Sequence, residues 1–431
     1  MGATSFLKRL IGAGGGGADR RVAALLGICR ALLSESGEYA STALAHDAVA
    51  AYQTLDDEGR ELFFDALARD YSPAAEAVMR AATAYQQDPS PAHLGELQSI
   101  VEPARQELFH RLNMAPGGTA ALVEMRRQLL GKLKLHAAWG AVDTDLLRVL
   151  RSWFNRGFLR LERIDWRTSA LVLEKLIQYE AVHAIAGWTD LRRRLEADRR
   201  CFAFFHPQLP DEPIIFIEVA LTRGMSTQVQ PLLDIHSPVE NPANADCAMF
   251  YSITNCQEGL RGISFGNQLI KQVAEELKRE FPHLRRFATL SPIPGFRRWL
   301  DSKKINGAEG PLLARLGDAA WHLGEVPEAL QTLLMRLCAH YLVDVKQAEG
   351  GNAEPLDPVA RFHLGNGAAL ERLNWMGDSS ESGLGRSAGI MANYVYWLGE
   401  VERNHESYFR EHEIVASPAI ERLAKECPPL G

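Results

Sequence analysis

Residues 248–296 read AMFYSITNCQEGLRGISFGNQLIKQVAEELKREFPHLRRFATLSPIPGF. This stretch decides the fold. AMFYSIT is a short β-rich run ending in polar residues. Leu269, Ile270, Val273 and Leu277 then recur at helical spacing. Phe281-Pro282 stops that helix, and LRRFATL resumes as a strand. Strand, glycine loop, helix, strand is a βαβ unit, so the two strands run parallel and both end at one edge of a sheet. Ligands of α/β sheets collect outside such carboxyl ends. The serine that opens SPIPGF, Ser291, is therefore expected on the same side as the loop before the helix.

That loop is Arg261-Gly262-Ile263-Ser264-Phe265-Gly266-Asn267. Small residues let a ligand approach the backbone, and free N–H groups at a helix start attract anions. Between Arg261 and Lys304 ten Lys and Arg face four acids, a local charge of +6 in a chain of net charge −7. A phosphate-bearing ligand benefits from that field.

Outward from this unit the character changes twice. RCFAFFHP and PIIFIEVALT are further β-rich runs beyond residue 200, bounded by Pro, Gly and Asp. Residues 20–155 read as helix after helix. RVAALLGICRALLSES sets Val22, Leu25, Leu26, Cys29, Leu32 and Leu33 on one face. DTDLLRVLRSWFNRG is expected to start a helix after Asp143 and Thr144 and to stop at Gly157. The expectation is an N-terminal all-α bundle, residues 1–155 with a Gly-rich leader, followed by an α/β domain, residues 156–431. The bundle carries no cluster of His, Cys and acids, so it reads as structural or oligomerising.

The 431 residues are 46% hydrophobic and 23% charged, an ordinary globular mixture. The acidic balance argues against a general nucleic-acid binder. No apolar run suits a membrane span, and the first residues lack the apolar core of a secretory signal. Six scattered cysteines form no C-x-x-C pair, so neither a metal site nor a disulfide framework is expected, and a reducing, cytoplasmic setting fits.

The loop pattern, Arg261-x-x-Ser264-x-Gly266, resembles the pyrophosphate loop of the GNAT acetyltransferase fold, which binds coenzyme A, with serine where glycine is usual. HPQLPDEPIIFIEVALT, FHLGNGA, LSPIPGF and GIMANYVYW together resemble the malonyl-CoA decarboxylase family over roughly residues 140–410. That resemblance implies a helical domain joined to a GNAT-like catalytic domain. It implies release of CO2 from malonyl-CoA to give acetyl-CoA, with neither metal nor organic cofactor. It assigns the serine of LSPIPGF, Ser291, and the histidine of FHLGNGA, His363, to catalysis. It adds a tyrosine, Tyr396, in a segment where Tyr394 offers the same chemistry. Better-known animal relatives carry a glutamate where Ser264 stands.

The reaction needs a grip on the carboxylate, donors for an enolate oxygen and a proton for C2. An acyltransferase on the same fold, or a non-catalytic CoA-binding protein, are the competing readings. The amphipathic bundle suggests a homo-oligomer, a dimer or tetramer.

Overall fold

The computed structural model describes residues 17–263, 265, 269–303, 309–347 and 354–429. Grouped by their contacts, these fall into two units. The first holds the chain through Leu159 together with His206–Pro210 and Gln257–Ser264. The second holds Arg160–Phe205, Asp211–Cys256 and the chain from Phe265 onward.

Among its described residues the first unit has eight α-helices: α1 (Ala18–Ser34), α2 (Glu38–Gln53), α3 (Asp57–Asp70), α4 (Ala75–Gln87), α5 (Pro91–Val101), α6 (Ala104–Leu112), α7 (Gly118–Lys132) and α8 (Gly140–Trp153). Their starts obey capping chemistry. Asp56 accepts the Gly59 N–H ahead of α3, and Ser90 followed by Pro91 opens α5. On α1 the expected stripe faces inward: Val22, Leu25, Cys29 and Leu32 are buried, and Leu26 and Leu33 pack beside them. They meet Phe63 and Phe64 of α3, Leu108 and Phe109 of α6, and Trp139, whose indole N–H donates to Asp65 at 2.7 Å. Burying an aromatic of this size contributes on the order of 2–3 kcal/mol.

Both boundaries of one helix differ from the sequence expectation, since α8 ends at Trp153 and not at Gly157. α8 begins at Gly140, not after Thr144, because the Asp143 carboxylate is engaged by Arg126 Nε at 2.8 Å and does not cap.

The second unit is organised by a seven-stranded mixed sheet of order β1-β2-β3-β4-β5-β7-β6. Its strands are β1 (Arg160–Ile164), β2 (Arg199–His206), β3 (Leu209–Thr222), β4 (Cys247–Asn255), β5 (Arg286–Thr289), β6 (Ala369–Asn374) and β7 (Met391–Val395). The βαβ reading holds. β4 and β5 pair in parallel, from Cys247 opposite Arg286 to Phe250 opposite Thr289, joined through α9 (Leu269–Glu280). Leu269, Ile270, Val273, Ala274 and Leu277 are the buried stripe of α9. A helical half followed by a mixed α/β half is thus the architecture expected from the sequence.

Two irregularities open the sheet where β5 ends. Glu218 lies opposite Ser252 while Val219 lies opposite Phe250, so Tyr251 is the extra residue of a bulge in β4. The Leu290 N–H still donates to Phe250, but the Ser291 N–H donates to Ala392 of β7 at 2.8 Å. Beyond Phe250, β4 runs on to Asn255 with no strand on its β5 side among the described residues.

Candidate active site

Ser291 sits at the point where the chain leaves β4 and joins β7. Its N–H and C=O both pair with Ala392, so the residue is held in a bridge to β7. Alternation along a strand puts Ala392 and Tyr394 on one face of β7, and Tyr396, one residue past its end, continues that face. Ala392 is small and leaves room for the serine opposite it. Pro292 and Pro294 stiffen the chain that follows.

The histidine arrives from α11 (Pro358–Gly365), which follows α10 (Glu328–Val343). Asp357 caps α11 by accepting the Val359 and Ala360 N–H groups at 2.9 Å, with Pro358 in the first turn. His363, near the end of α11, is 3% exposed.

Its two ring nitrogens have different partners. Nε2 lies 2.9 Å from Ser291 Oγ, and Nδ1 lies 2.8 Å from the Tyr396 hydroxyl. Ser291 Oγ donates to Thr289 Oγ1 at 2.8 Å, and Thr289 Oγ1 also accepts the Tyr394 N–H at 3.2 Å. One assignment satisfies every group in a single direction. Tyr396 O–H donates to Nδ1, Nε2–H donates to Ser291, and Ser291 donates to Thr289. The neutral imidazole then carries its proton on the nitrogen that faces the serine.

The geometry separates the two tyrosines. Tyr396 is the hydrogen-bond partner, whereas the Tyr394 ring stacks on the imidazole with centroids 4.6 Å apart and planes at 26°. Of the expected residues, Ser291, His363 and Tyr396 are brought together. Sequence reasoning missed Thr289, Asp357 and the stacking role of Tyr394. Two of these left signals: Thr289 shares a strand face with Ser291 at i+2, and Asp357-Pro358 is a helix-start signature.

The phosphate loop is described in part. Ser264, Gly266 and Asn267 lie outside the described residues. Arg261 and Gly262 are exposed, while Ile263 and Phe265 bury their side chains, so the backbone is what these last two can offer a ligand. Among the described residues no group of three His, Cys, Asp or Glu is arranged to hold a metal ion, and no helix is long and apolar enough to cross a membrane.

Burial sets the protonation states. It pushes His363 down to about 3 and holds the Tyr396 hydroxyl well above its ordinary value. It raises the Asp357 carboxyl to about 6, against the hydrogen bonds from the helix start. These act oppositely on stability. Unfolded His363 takes up a proton near pH 6.5 but the folded residue does not, so stability falls as pH drops below 6.5, by roughly 2 kcal/mol at pH 5. Asp357 is protonated earlier in the folded chain. Its contribution is complete below the unfolded carboxylate pKa of ~3.9 and is lost as pH rises through 6.

His363→Asn removes only the first effect. The loss of thermal stability between pH 7 and pH 5 is therefore expected to be smaller in the variant than in the wild type. Equal losses in the two would show that the folded imidazole titrates normally.

Comparison with known proteins identifies the family. The family model for the malonyl-CoA decarboxylase C-terminal domain matches residues 157–429, and that for the N-terminal domain matches residues 71–154. The mitochondrial malonyl-CoA decarboxylase of Rattus norvegicus is 38% identical over 362 residues, 77% of this chain and 73% of the rat protein.

The chain belongs to the malonyl-CoA decarboxylase family.

Solved structures of family members extend the match. The malonyl-CoA decarboxylase of Rhodopseudomonas palustris superposes with a TM-score of 0.89 at 45% identity, covering 95% of this chain and all of that one. The malonyl-CoA decarboxylase of Agrobacterium vitis gives 0.86 at 45% identity, over 93% and 99% of the two chains. Ser291, at the end of β5, and His363, on α11, come from separate segments and meet at 2.9 Å.

Proposed function

We propose that this chain is a malonyl-CoA decarboxylase in which Ser291 and His363 handle the proton of the reaction and Tyr396 orients the imidazole. The hydrogen-bonded chain Tyr396–His363–Ser291–Thr289 is the observation that carries this reading. The balance is simple. The C2–carboxylate bond breaks, CO2 leaves, its electron pair moves into the thioester as an enolate, and C2 takes one proton to give acetyl-CoA.

With Nδ1 held by Tyr396, the only outlet for an imidazole proton is through Nε2 toward Ser291. Burial keeps His363 neutral because it offers the imidazole cation no counter-charge. A malonyl carboxylate brings that counter-charge, which favours uptake of a solvent proton at Nδ1, the Tyr396 O–H turning away so that its oxygen accepts from Nδ1–H. Ser291 then turns its O–H from Thr289 toward the substrate. It grips the carboxylate without adding a positive charge that would oppose CO2 release. Once CO2 has left, the Ser291 O–H gives its proton to C2 while Oγ takes the Nε2 proton, and the imidazole is left neutral with its proton on Nδ1.

Residues 261–263 precede α9, and an anion is favoured at a helix start, which suits a phosphate-bearing substrate. Malonyl-CoA supplied with no acceptor tests the reading. Acetyl-CoA and CO2 in equal amounts are expected. No turnover without an amine or hydroxyl acceptor would instead mark an acyltransferase.

The same reading places the protein in the cytoplasm, supported by six cysteines that are all free thiols. It also makes the chain a homo-oligomer, a dimer or tetramer, assembled through the helical half. α4 buries only Ala81 and α5 buries no residue, yet they carry Met79, Leu94 and Val101 exposed at 66%, 38% and 43%. Light scattering at micromolar concentration is expected to give at least twice the 47.8 kDa chain mass. A monomer would overturn this assignment.

A further inference from the structure

Where β5 meets β7 the ladder skips one bond, and it does so at the residue that accepts the Ser291 hydroxyl. Ala288 pairs with Val395 and Ser291 with Ala392, so one antiparallel register runs through both. Ser291 and Ala392 exchange both backbone hydrogen bonds, so Thr289 and Tyr394, two residues along each strand, are the next pair due to do so. The Tyr394 N–H donates instead to the Thr289 side chain, at 3.2 Å from Oγ1. The Thr289 carbonyl is taken by Asn393, whose Nδ2 donates to it at 2.7 Å.

Asn393 is completely buried, and its neighbours dictate how its amide points. Arg372 Nε can only donate, so the Asn393 atom it meets at 3.1 Å must be the oxygen. Asn374 Nδ2 donates to the same oxygen at 2.8 Å. The amide nitrogen is thereby turned toward the carbonyls of Thr289 and of Ser226, the latter at 3.3 Å. A bulge in β6 supplies the arginine. Leu370 lies opposite Tyr394 while Arg372 lies opposite Asn393, so Glu371 is the extra residue. Arg372 is anchored in turn on the Met225 carbonyl at 3.1 Å.

We propose that Asn393 is a positioning residue for catalysis. By holding the Thr289 carbonyl it leaves the Tyr394 N–H to Thr289 Oγ1, which fixes that oxygen where it accepts the Ser291 O–H. This rests on the reading above that Ser291 and His363 handle the proton.

The argument is one of satisfied groups. A buried N–H must find an acceptor, and with the carbonyl turned onto Asn393 the Tyr394 N–H is left to the hydroxyl. That bond holds the rotamer of a β-branched side chain that has few to choose from. Both acceptor positions of Thr289 Oγ1 are then filled, one by Tyr394 and one by the Ser291 O–H at 2.8 Å. The serine oxygen is left to accept from His363 Nε2 at 2.9 Å. Without the amide the ladder can close, Thr289 is released, and the Ser291 O–H can turn back onto Nε2.

Asn393→Asp keeps the shape and the oxygen that Arg372 holds, and removes the donor. Its kcat for malonyl-CoA is expected to fall about tenfold with KM within about twofold. In a Thr289→Val background the same change should lower kcat by no more than about twofold further, because the threonine it acts through is gone. Losses that multiply across the two positions would reduce Asn393 to a structural role, and an unchanged kcat in Asn393→Asp would remove it from catalysis. Arg372→Gln, at a half-buried position, loosens the amide and should lower kcat about threefold in the same pattern. It carries the test if Asn393→Asp does not fold. Nitrogen NMR of labelled histidine reads the site without turnover. The His363 signals, identified by their absence from His363→Asn, are expected to move in Asn393→Asp as the serine O–H becomes free to donate to Nε2. Unmoved signals would overturn the inference even where the wild type decarboxylates. A wild-type protein that forms no acetyl-CoA, with signals that move in the variant, would overturn the proposed activity and leave the role of Asn393 in the ladder standing.

Discussion

His363→Asn lowers kcat by about a thousandfold, within the range by which a positioned acid–base group speeds a proton transfer, and leaves KM nearly unchanged. The reasoning rests on what asparagine keeps and what it loses. It is polar and small enough to stay hydrogen-bonded in the space between Ser291 and Tyr396. It has no ring nitrogen to take up and pass on a proton. Binding survives because most of the affinity comes from the distant coenzyme A portion. A loss of kcat without a change in KM is the signature of an interaction made in the transition state. Steady-state kinetics on a variant whose melting confirms folding decides the matter. Turnover near the wild-type rate would exclude His363 as the source of the proton.

Ser291→Ala is expected to lower kcat by about ten- to a hundredfold. The bond it removes is one to a charged carboxylate, worth roughly 1.5–3 kcal/mol, and each 1.36 kcal/mol is about tenfold in rate. The smaller figure follows from position. A substrate carbon can meet a water in the space left by Oγ, whereas nothing replaces the imidazole. The backbone bridge between residue 291 and Ala392 does not depend on the side chain, so folding is kept. Because the serine hands on the proton that the histidine holds, Ser291→Ala combined with His363→Asn should fall little below His363→Asn alone. A double variant whose losses multiply would mean that the two groups act on separate steps.

How much of this was legible before the structure differs from group to group. The βαβ unit was readable because its signals are local: a helical period between two β-rich runs and a proline that ends the helix. Ser291 was readable for the same reason, since the end of a parallel strand is a position that sequence can locate. Its backbone bridge was not, because Ala392 lies a hundred residues away and gives no sign of its register. His363 and Tyr396 were marked by family motifs and not by any periodicity. Choosing between Tyr394 and Tyr396 needed coordinates, as both lie on one strand face and differ only in where each ring meets the imidazole. The hydrogen bonds from Arg126 to the Gly259 and Arg261 carbonyls were hidden for a further reason. Helical spacing placed that arginine on a helix, but a buried charge is recognised only once its carbonyl partners, more than 130 residues on, are in view.

The split make-up of the helical unit has a consequence for how the chain is made. Its helices α1 to α8 are complete by Trp153, yet the unit also draws on His206–Pro210 and Gln257–Ser264. On the ribosome, where a nascent chain lengthens by about 5–20 residues each second, the bundle waits several seconds after its last helix emerges before its final pieces arrive. Throughout that interval Arg126 lacks the Gly259 and Arg261 carbonyls that satisfy it in the finished fold. A fragment cut after α8 would be frozen at that stage, with a guanidinium short of its acceptors and Val123 without the glycine that packs on it. For anyone exchanging modules between such proteins, the helical half is therefore not a cassette that can be lifted out in one piece: residues 257–264 have to travel with it.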